Sequence, residues 1–309
     1  MLASKILCEP YAGLQAQALG LAEAAGLSPQ TIELHPRRPW RWVGAASWPA
    51  PLHAVGLQAP PSGLLFTVGG TAGAVGAACH RLGSQVVQIQ NPRLKLRHFD
   101  LVVANEHDGL SGPNVITIRT ALHRATKARL AEAREIWAPR LAHLPRPLVC
   151  VLVGGSNGRF RLGPPEGAVL AAQLATLMRE TGVGVALTPS RRTHPDVQAE
   201  FVRTLAPLGA YIYDFSGENP YFGLLACADI IIVTVDSISM VSEAVATHAP
   251  VLVANLPGRS ARIFRFRDAL MRSGRIRPFT GRLETWPATP LDDTKRAGEE
   301  VRRRLQLGR

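Results

Sequence analysis

Short apolar runs alternate with helix-like stretches along the whole chain, the pattern of parallel β-α-β units. In the first half LLFTV (64–68), QVVQI (85–89), DLVVA (100–104) and NVITI (114–118) read as strands, with helices over 14–25 and 71–82. A second series runs PLVCVLVGG (147–155), GVGVALTPS (182–190), GAYIYDF (209–215), ADIIIVTV (228–235) and APVLVANL (249–256). Short buried-looking strands of this kind are what parallel sheets covered on both faces require. Residues 119–145 read as a charged helical connector ending at Pro145 and Pro147, which disfavour helix.

The predicted fold class is α/β: two Rossmann-like, doubly wound parallel-sheet domains facing a cleft. Their expected extents are 1–145, including the connector, and 146–285, with 286–309 a helical tail packing back on the first domain. A chain of 309 residues that is 46% hydrophobic can fill two ordinary cores. Open α/β sheets bind ligands beyond the carboxyl ends of their strands, so the strand-end loops are where chemistry is expected.

Charge narrows the class of ligand. Lys and Arg number 35 against 23 Asp and Glu, a formal charge of +12 that points to an anionic partner: a phosphorylated substrate, a membrane surface or nucleic acid. The four cysteines are scattered, without zinc-site spacing or disulfide density, and are expected to be buried thiols. The first residues lack a basic region followed by a long apolar core, and no segment approaches the roughly 18 apolar residues of a membrane span. A cytoplasmic protein is expected, with peripheral contact on the inner face of the membrane left open by the charge.

Three loops of the second half carry candidate chemistry. In GGSNGRFRLG (154–163), Gly154 and Gly155 would let backbone N–H groups approach a phosphate, with Ser156, Asn157 and Arg159 as further donors; an ordinary glycine turn would read the same way. In TPSRRTHPDV (188–197), Ser190, Arg191 and Arg192 could hold a diphosphate, or the arginines could simply be solvated. The third loop holds Asp236, Ser237, Ser239 and Met240, with Glu243 just inside a helix. Ser239 is expected to cap that helix, and Glu243 in its first turn would then interact with the macrodipole. A capping box under that cap would use position 242, so Glu243 is one residue late and a ribose diol is the alternative partner.

Competing chemistries lack their fingerprints. VGGTAGAVGAACHRLG (68–83) never spells G-x-G-x-x-G, and the following strand ends at Gln90 rather than an acid, which argues against a nicotinamide dinucleotide. There is no D-x-D, no H-E-x-x-H and no cluster with metal-ligand spacing, so no metal is expected. No nucleic-acid-binding module is recognisable. The segment 257–282 carries eight arginines against Asp268, with Phe264 and Phe266 interleaved. A solvated face and a surface for anionic lipid headgroups or the diphosphate both fit it.

ENPYFGLLACADIIIVTVDSISMVSEAVATHAPVLV (218–253), the TPSRRTHPDV loop, LPGRSARIFRFRDAL (256–270), RPFTGRLETW (277–286) and HFDLVVANEHDGLSGPNVI (98–116) together resemble the bacterial branch of the "elongate mitochondria" fission-protein family. That family is similar in fold to GT-B glycosyltransferases, which hold a nucleotide-sugar donor mainly in the C-terminal domain. The resemblance implies that Glu243 holds the ribose and that GGSNG holds the diphosphate. It implies that His107 and Asp108 match the family's His-Asp pair, one of them serving as acceptor base, although Asp108-Gly109 is also a common turn signal. In the opening loop EPYAGLQAQ only Gly13 and Gln17 match the family pattern.

The expected function is a metal-independent glycosyltransferase that uses a nucleotide-diphosphate sugar as substrate, without a resident cofactor, and an envelope glycan or lipid-linked acceptor. The alternatives are a non-catalytic division-associated adaptor on the same fold and a nucleotide-sugar epimerase. Sugar, base, acceptor and oligomeric state stay open.

Overall fold

The structure, a computed structural model, describes residues 3–307, with the side chain of His107 outside the described set. The chain divides into two compact units, Met1–Arg124 with Asp292–Arg309, and Ala125–Leu291.

The first unit contains strands β1 Ser4–Cys8, β2 Gln30–Glu33, β3 Leu64–Val68, β4 Gln85–Ile89, β5 Leu101–Asn105 and β6 Val115–Ile118. All pairings are parallel, in the order β2-β1-β3-β4-β5-β6. Successive side chains point to opposite faces. Ile6, Phe66, Val87 and Val103 therefore face α1 (Ala12–Ala24), whereas Leu7, Leu65, Val86 and Val102 face α3 (Gly69–Arg81). Both faces are covered, which is why the strands read as unbroken apolar runs. The short α2 (Pro51–Ala54) lies between β2 and β3.

The second unit opens with α4 (Lys127–Arg140) and continues β7 Leu148–Val153, α5 Pro164–Thr181, β8 Gly184–Pro189, α6 Pro195–Leu205, β9 Tyr211–Ile212, α7 Tyr221–Cys227, β10 Ile230–Thr234, α8 Ile238–Val245, β11 Val251–Ala254, α9 Ala261–Arg272 and β12 Ile276–Pro278. Its sheet is parallel throughout, in the order β12-β11-β10-β7-β8-β9, so the direction of winding reverses between β7 and β10. Helix α10 (Asp293–Arg304) returns to the first unit, where Ala297 and Val301 join Leu21 and Ala22 of α1 in the core. Asp293 anchors it, accepting from the backbone N–H of Arg119 (2.5 Å) and of Thr120 (3.1 Å).

Differences from the sequence reading have physical reasons. The connector was expected in the first domain, but Trp137 of α4 and Leu141 just after it are buried with Leu148, Cys150, Leu224 and Cys227 of the second unit. Three further strands exist. β1 is a short run close to the N-terminus, β2 is an exposed polar edge, and β12 is three residues inside the arginine-rich segment. Within that segment Phe266 is in the core and Arg275 is buried, while half-buried Phe264 packs edge-on against Phe160, ring centroids 5.9 Å apart, with the Arg267 guanidinium 4.8 Å from its ring. The four cysteines are buried free thiols.

Candidate functional site

The reversal point between β7 and β10 is where an open α/β sheet offers a crevice, and three predicted loops interlock there. Thr234 Oγ1 donates to Asp236 Oδ1 (2.7 Å), while Asp236 Oδ2 accepts from the N–H of Gly155 (3.1 Å) and from Arg192 Nη2 (3.0 Å). Arg192 Nη1 donates to the carbonyl of Gly155 (3.0 Å), and Thr193 Oγ1 donates to that of Gly154 (2.5 Å). The Asp236 side chain is fully buried, so it acts as a hub joining the three loops and not as a ligand contact. Arg192 forks onto that hub, so its charge is already matched.

The glycine loop also changes meaning. A Cβ on Gly154 would overlap the Asp236 carboxylate, and one on Gly155 would overlap the carbonyl of Arg192, whereas one on Gly158 would meet nothing. The first two glycines are required by the packing of the hub itself. Ser156 Oγ accepts from the N–H of Leu162 (2.9 Å), and Asn157 Oδ1 accepts from those of Arg159 (2.9 Å) and Phe160 (3.0 Å). These side chains shape the loop from within. Arg159 is exposed.

Beside the hub lies a pocket of about 470 Å³ lined by Thr188 and Pro189 at the end of β8, by Ser190 and Arg191 after it, by Tyr213, Phe215, Asn219 and Tyr221 before and at α7, and by Met240 and Glu243 of α8. That volume lies within the range of small-molecule sites. Helix α8 is capped by Ser237, whose side chain accepts from the N–H of Met240 (3.3 Å), instead of the expected Ser239. The earlier start moves Glu243 into the second turn, beyond the macrodipole's main reach. It also sets Met240 and Glu243 three apart, on one helix face.

Glu243 is buried, and burial pushes its carboxyl up to about 7, with the hydroxyl hydrogen bond from Tyr221 pulling the other way. Burial and the neighbouring carboxylate raise the Tyr221 phenol well above its usual range. Tyr213 is buried and stacks obliquely with Phe215, centroids 5.3 Å apart. Phe215 is 40% exposed and holds a left-handed backbone, φ 68°. A non-glycine residue in that region is uncommon and marks a constrained position. The site therefore offers two aromatic faces, a buried carboxylate able to accept from a diol, and the exposed guanidinium of Arg191.

Of the residues predicted for the second unit, the pocket gathers Ser190, Arg191, Met240 and Glu243. Gly154, Gly155, Arg192 and Asp236 form the supporting hub, and Ser156, Asn157, Arg159, Ser237 and Ser239 are not among its lining residues. Tyr213, Phe215, Asn219 and Tyr221 were missed. Three of the four tyrosines of the chain fall within 211–221, a concentration of aromatics in a loop that could have pointed to them. Gly13, Gln17, His107 and Asp108 belong to the first unit. Gly13 is exposed in the first turn of α1, and Gln17 is buried, accepting from Gln90 Nε2 (3.0 Å). Asp108 ends a 3-10 turn, Glu106–Asp108, closed by Gly109 in the left-handed region, so the turn signal is used; the side chain of His107 is outside the described residues. Among the described residues no group of His, Cys, Asp and Glu could hold a metal ion, and no helix is long and apolar enough to cross a membrane.

The chain is similar over its length to solved structures at low identity. The UDP-GlcNAc 2-epimerase of Neisseria meningitidis bound to UDP-GlcNAc matches with a TM-score of 0.54 at 11% identity, covering 99% of this chain and 92% of that one. A UGT transferase of Siraitia grosvenorii in complex with UDP matches with a TM-score of 0.54 at 10% identity (98% and 94%), and Acinetobacter baumannii MurG with 0.50 at 16% (92% and 87%). These likenesses establish the fold, two Rossmann-like domains of the GT-B class. In sequence, the chain is 31% identical over 261 residues to mitochondrial fission protein ELM1 of Arabidopsis thaliana and 27% identical over 214 residues to protein RP120 of Rickettsia prowazekii. The matches cover 75% and 67% of this chain, and 61% and 60% of those proteins, so the chain spans about three-fifths of the curated relatives it matches. The mitochondrial fission ELM1 family model matches residues 12–305, nearly the whole chain, and the chain belongs to that family.

Proposed function

We propose that the second unit binds a nucleoside-diphosphate sugar and that the protein transfers the sugar to an acceptor hydroxyl, of an envelope glycan or a lipid-linked acceptor. The observation that carries the reading is Glu243, a buried carboxylate in a pocket with two aromatic walls and an exposed arginine. In this reading the ribose hydroxyls donate to Glu243, with Tyr221 orienting the carboxylate. The base packs against Tyr213 and Phe215, and Arg191 faces the diphosphate. Arg192 and Asp236 act as positioning residues that set the spacing between the loops. The nucleotide complexes among the similar folds support the ligand class.

For transfer, the acceptor oxygen forms a bond to the anomeric carbon as the bond from that carbon to the diphosphate oxygen breaks. The acceptor proton passes to a general base, the role the sequence leads us to expect of His107 or Asp108, and the negative charge released on the diphosphate is matched by Arg191. Calorimetric titration with UDP-, GDP-, dTDP- and ADP-sugars tests binding, and mass spectrometry of products with candidate acceptors tests transfer. Saturable binding abolished by Glu243→Ala is expected; binding unchanged by that substitution refutes the site.

The family's description as fission proteins favours a second reading, a non-catalytic adaptor on the same fold. It predicts no turnover and tolerance of Asp108→Asn, whereas the transferase reading predicts loss of turnover with nucleotide affinity intact.

A further inference from the structure

From residue 34 to residue 99 the chain contains no Asp or Glu, yet it contains Arg37, Arg38, Arg41, Arg81, Arg93, Lys95 and Arg97. All of this stretch lies in the first unit, whereas the pocket around Glu243 lies in the second. The structure brings Arg37 and Arg81 to one cavity. A cavity of about 720 Å³ is lined by Arg37, His53 and Arg81 together with Leu52, Leu57 and Leu82. Burial and the positive charges of Arg97, Arg81, His80 and Lys95 hold the His98 imidazole below its usual range.

Beside the cavity, the loop carrying Arg37 presents an indole outward. Trp40 and Trp48 secure the loop, packing with Ala54 and with Ala74 of α3, and Trp48 Nε1 donates to the carbonyl of Val43 (3.0 Å). Trp42 is 67% exposed, with Arg38 and Arg41 guanidinium carbons 5.6 and 5.5 Å from its ring centroid. Val43 and Leu82 are also exposed. An indole held out between two guanidiniums, next to a cavity lined by both basic residues and leucines, matches a surface that is anionic outside and apolar just beneath. Tryptophan prefers the headgroup level of a bilayer, and arginines near anionic lipid are attracted electrostatically. A nucleic-acid backbone would match the charge but would gain nothing from exposed Val43, Leu82 and a leucine-lined cavity.

We propose that this face of the first unit docks on an anionic phospholipid bilayer, with Trp42 entering the headgroup boundary, Arg38 and Arg41 on lipid phosphates, and one headgroup phosphate seated between Arg37 and Arg81. The proposal is independent of the nucleotide site. It also places membrane contact on the first unit, not on the arginine-rich segment 257–282, whose aromatic Phe266 is in the core.

The test is flotation of the full chain with phosphatidylcholine vesicles, with and without phosphatidylglycerol, read together with tryptophan emission. Binding only to the phosphatidylglycerol vesicles, weakening with salt and accompanied by a blue shift, is expected. Each arginine near the surface is worth about fivefold, so Arg38→Glu with Arg41→Glu should weaken binding by well over tenfold. Trp42→Ser should abolish the blue shift and weaken binding. All three positions lie in an outer loop, and circular dichroism checks that the variants remain folded. Arg259→Glu with Arg265→Glu in the second unit should leave binding unchanged. The proposal is overturned if the wild type does not float, if it binds RNA but not vesicles, or if the first-unit variants bind like wild type while the second-unit variant loses binding.

Discussion

Glu243 lies in the second turn of α8, where its carboxyl group is buried against Tyr221 and its pKa is raised from 4.5 to about 7. Between those values the folded state binds more protons than the unfolded state, so the stability this group contributes is complete below about pH 4.5 and is lost as pH rises through 7. The full swing is about 3 kcal/mol. Glu243→Gln should remove that slope, and urea denaturation at pH 5 and pH 8 measures it. Ligand binding should run in the opposite direction. Hydroxyls donate to the ionised carboxylate, so nucleotide affinity should rise about tenfold from one pH unit below 7 to one above it. In Glu243→Gln the pH profile should be flat and the affinity low at every pH, as calorimetry across the range would show. The carboxylate was visible in the sequence. Its partner was not, because Tyr221 and Glu243 are 22 residues apart and only the packing of α7 beside α8 makes them neighbours.

The elements around the pocket are held by a few buried polar groups. Asp236 joins the loops after β7, β8 and β10, so Asp236→Ala would leave Thr234 Oγ1, the Gly155 N–H and Arg192 without their shared acceptor. A cost of about 3 kcal/mol is expected, together with weakened nucleotide binding. The two glycines separate packing from phosphate approach. Gly155→Ala should destabilise by about 1–3 kcal/mol because the added methyl meets the Arg192 carbonyl, and Gly158→Ala should be close to neutral in open space. Chemical denaturation of the pair would check this, and equal effects would refute the hub. Arg275 is a second such group. Its guanidinium donates to the carbonyls of Val245 (3.1 Å), Thr247 (2.7 Å) and Ala249 (3.2 Å), satisfying the C-terminal end of α8 and the turn after it. Arg275→Lys should destabilise by about 2 kcal/mol, because an ammonium cannot reproduce the planar fork. In the sequence, Arg275 is one of eight arginines in a basic run, and nothing in the pattern distinguishes it from those at the surface.

The two units have separate cores, and their boundaries have a direct test. Every residue lining the pocket around Glu243, the proposed nucleotide site, belongs to Ala125–Leu291. A fragment covering 125–291 should unfold in one cooperative transition and retain nucleotide binding. The fragment 146–285, cut where the prolines suggested, lacks the buried Trp137 of α4 and Leu141 just after it and should expose the surface they cover. Circular dichroism and calorimetry on both fragments would show whether the sequence boundary or the contact boundary is correct. Binding by the shorter fragment alone would favour the former.

The periodicity of the chain by itself determined that it forms two parallel α/β sheets. Strands buried on both faces must be continuously apolar, and that property is local. It also pointed to the strand-end loops as the place to seek a ligand site, naming Glu243, Arg191 and Arg192 there among others. Tertiary structure alone decided which unit owns α4, since its apolar side chains could have faced either core. It also separated Arg191, which lines the pocket, from Arg192, which is tied to Asp236, although the two are adjacent in sequence and identical in type. The same glycines, serines and arginines can line a pocket or act as struts between loops. What separates the two roles is the distance to groups far along the chain, which only the folded structure brings within reach.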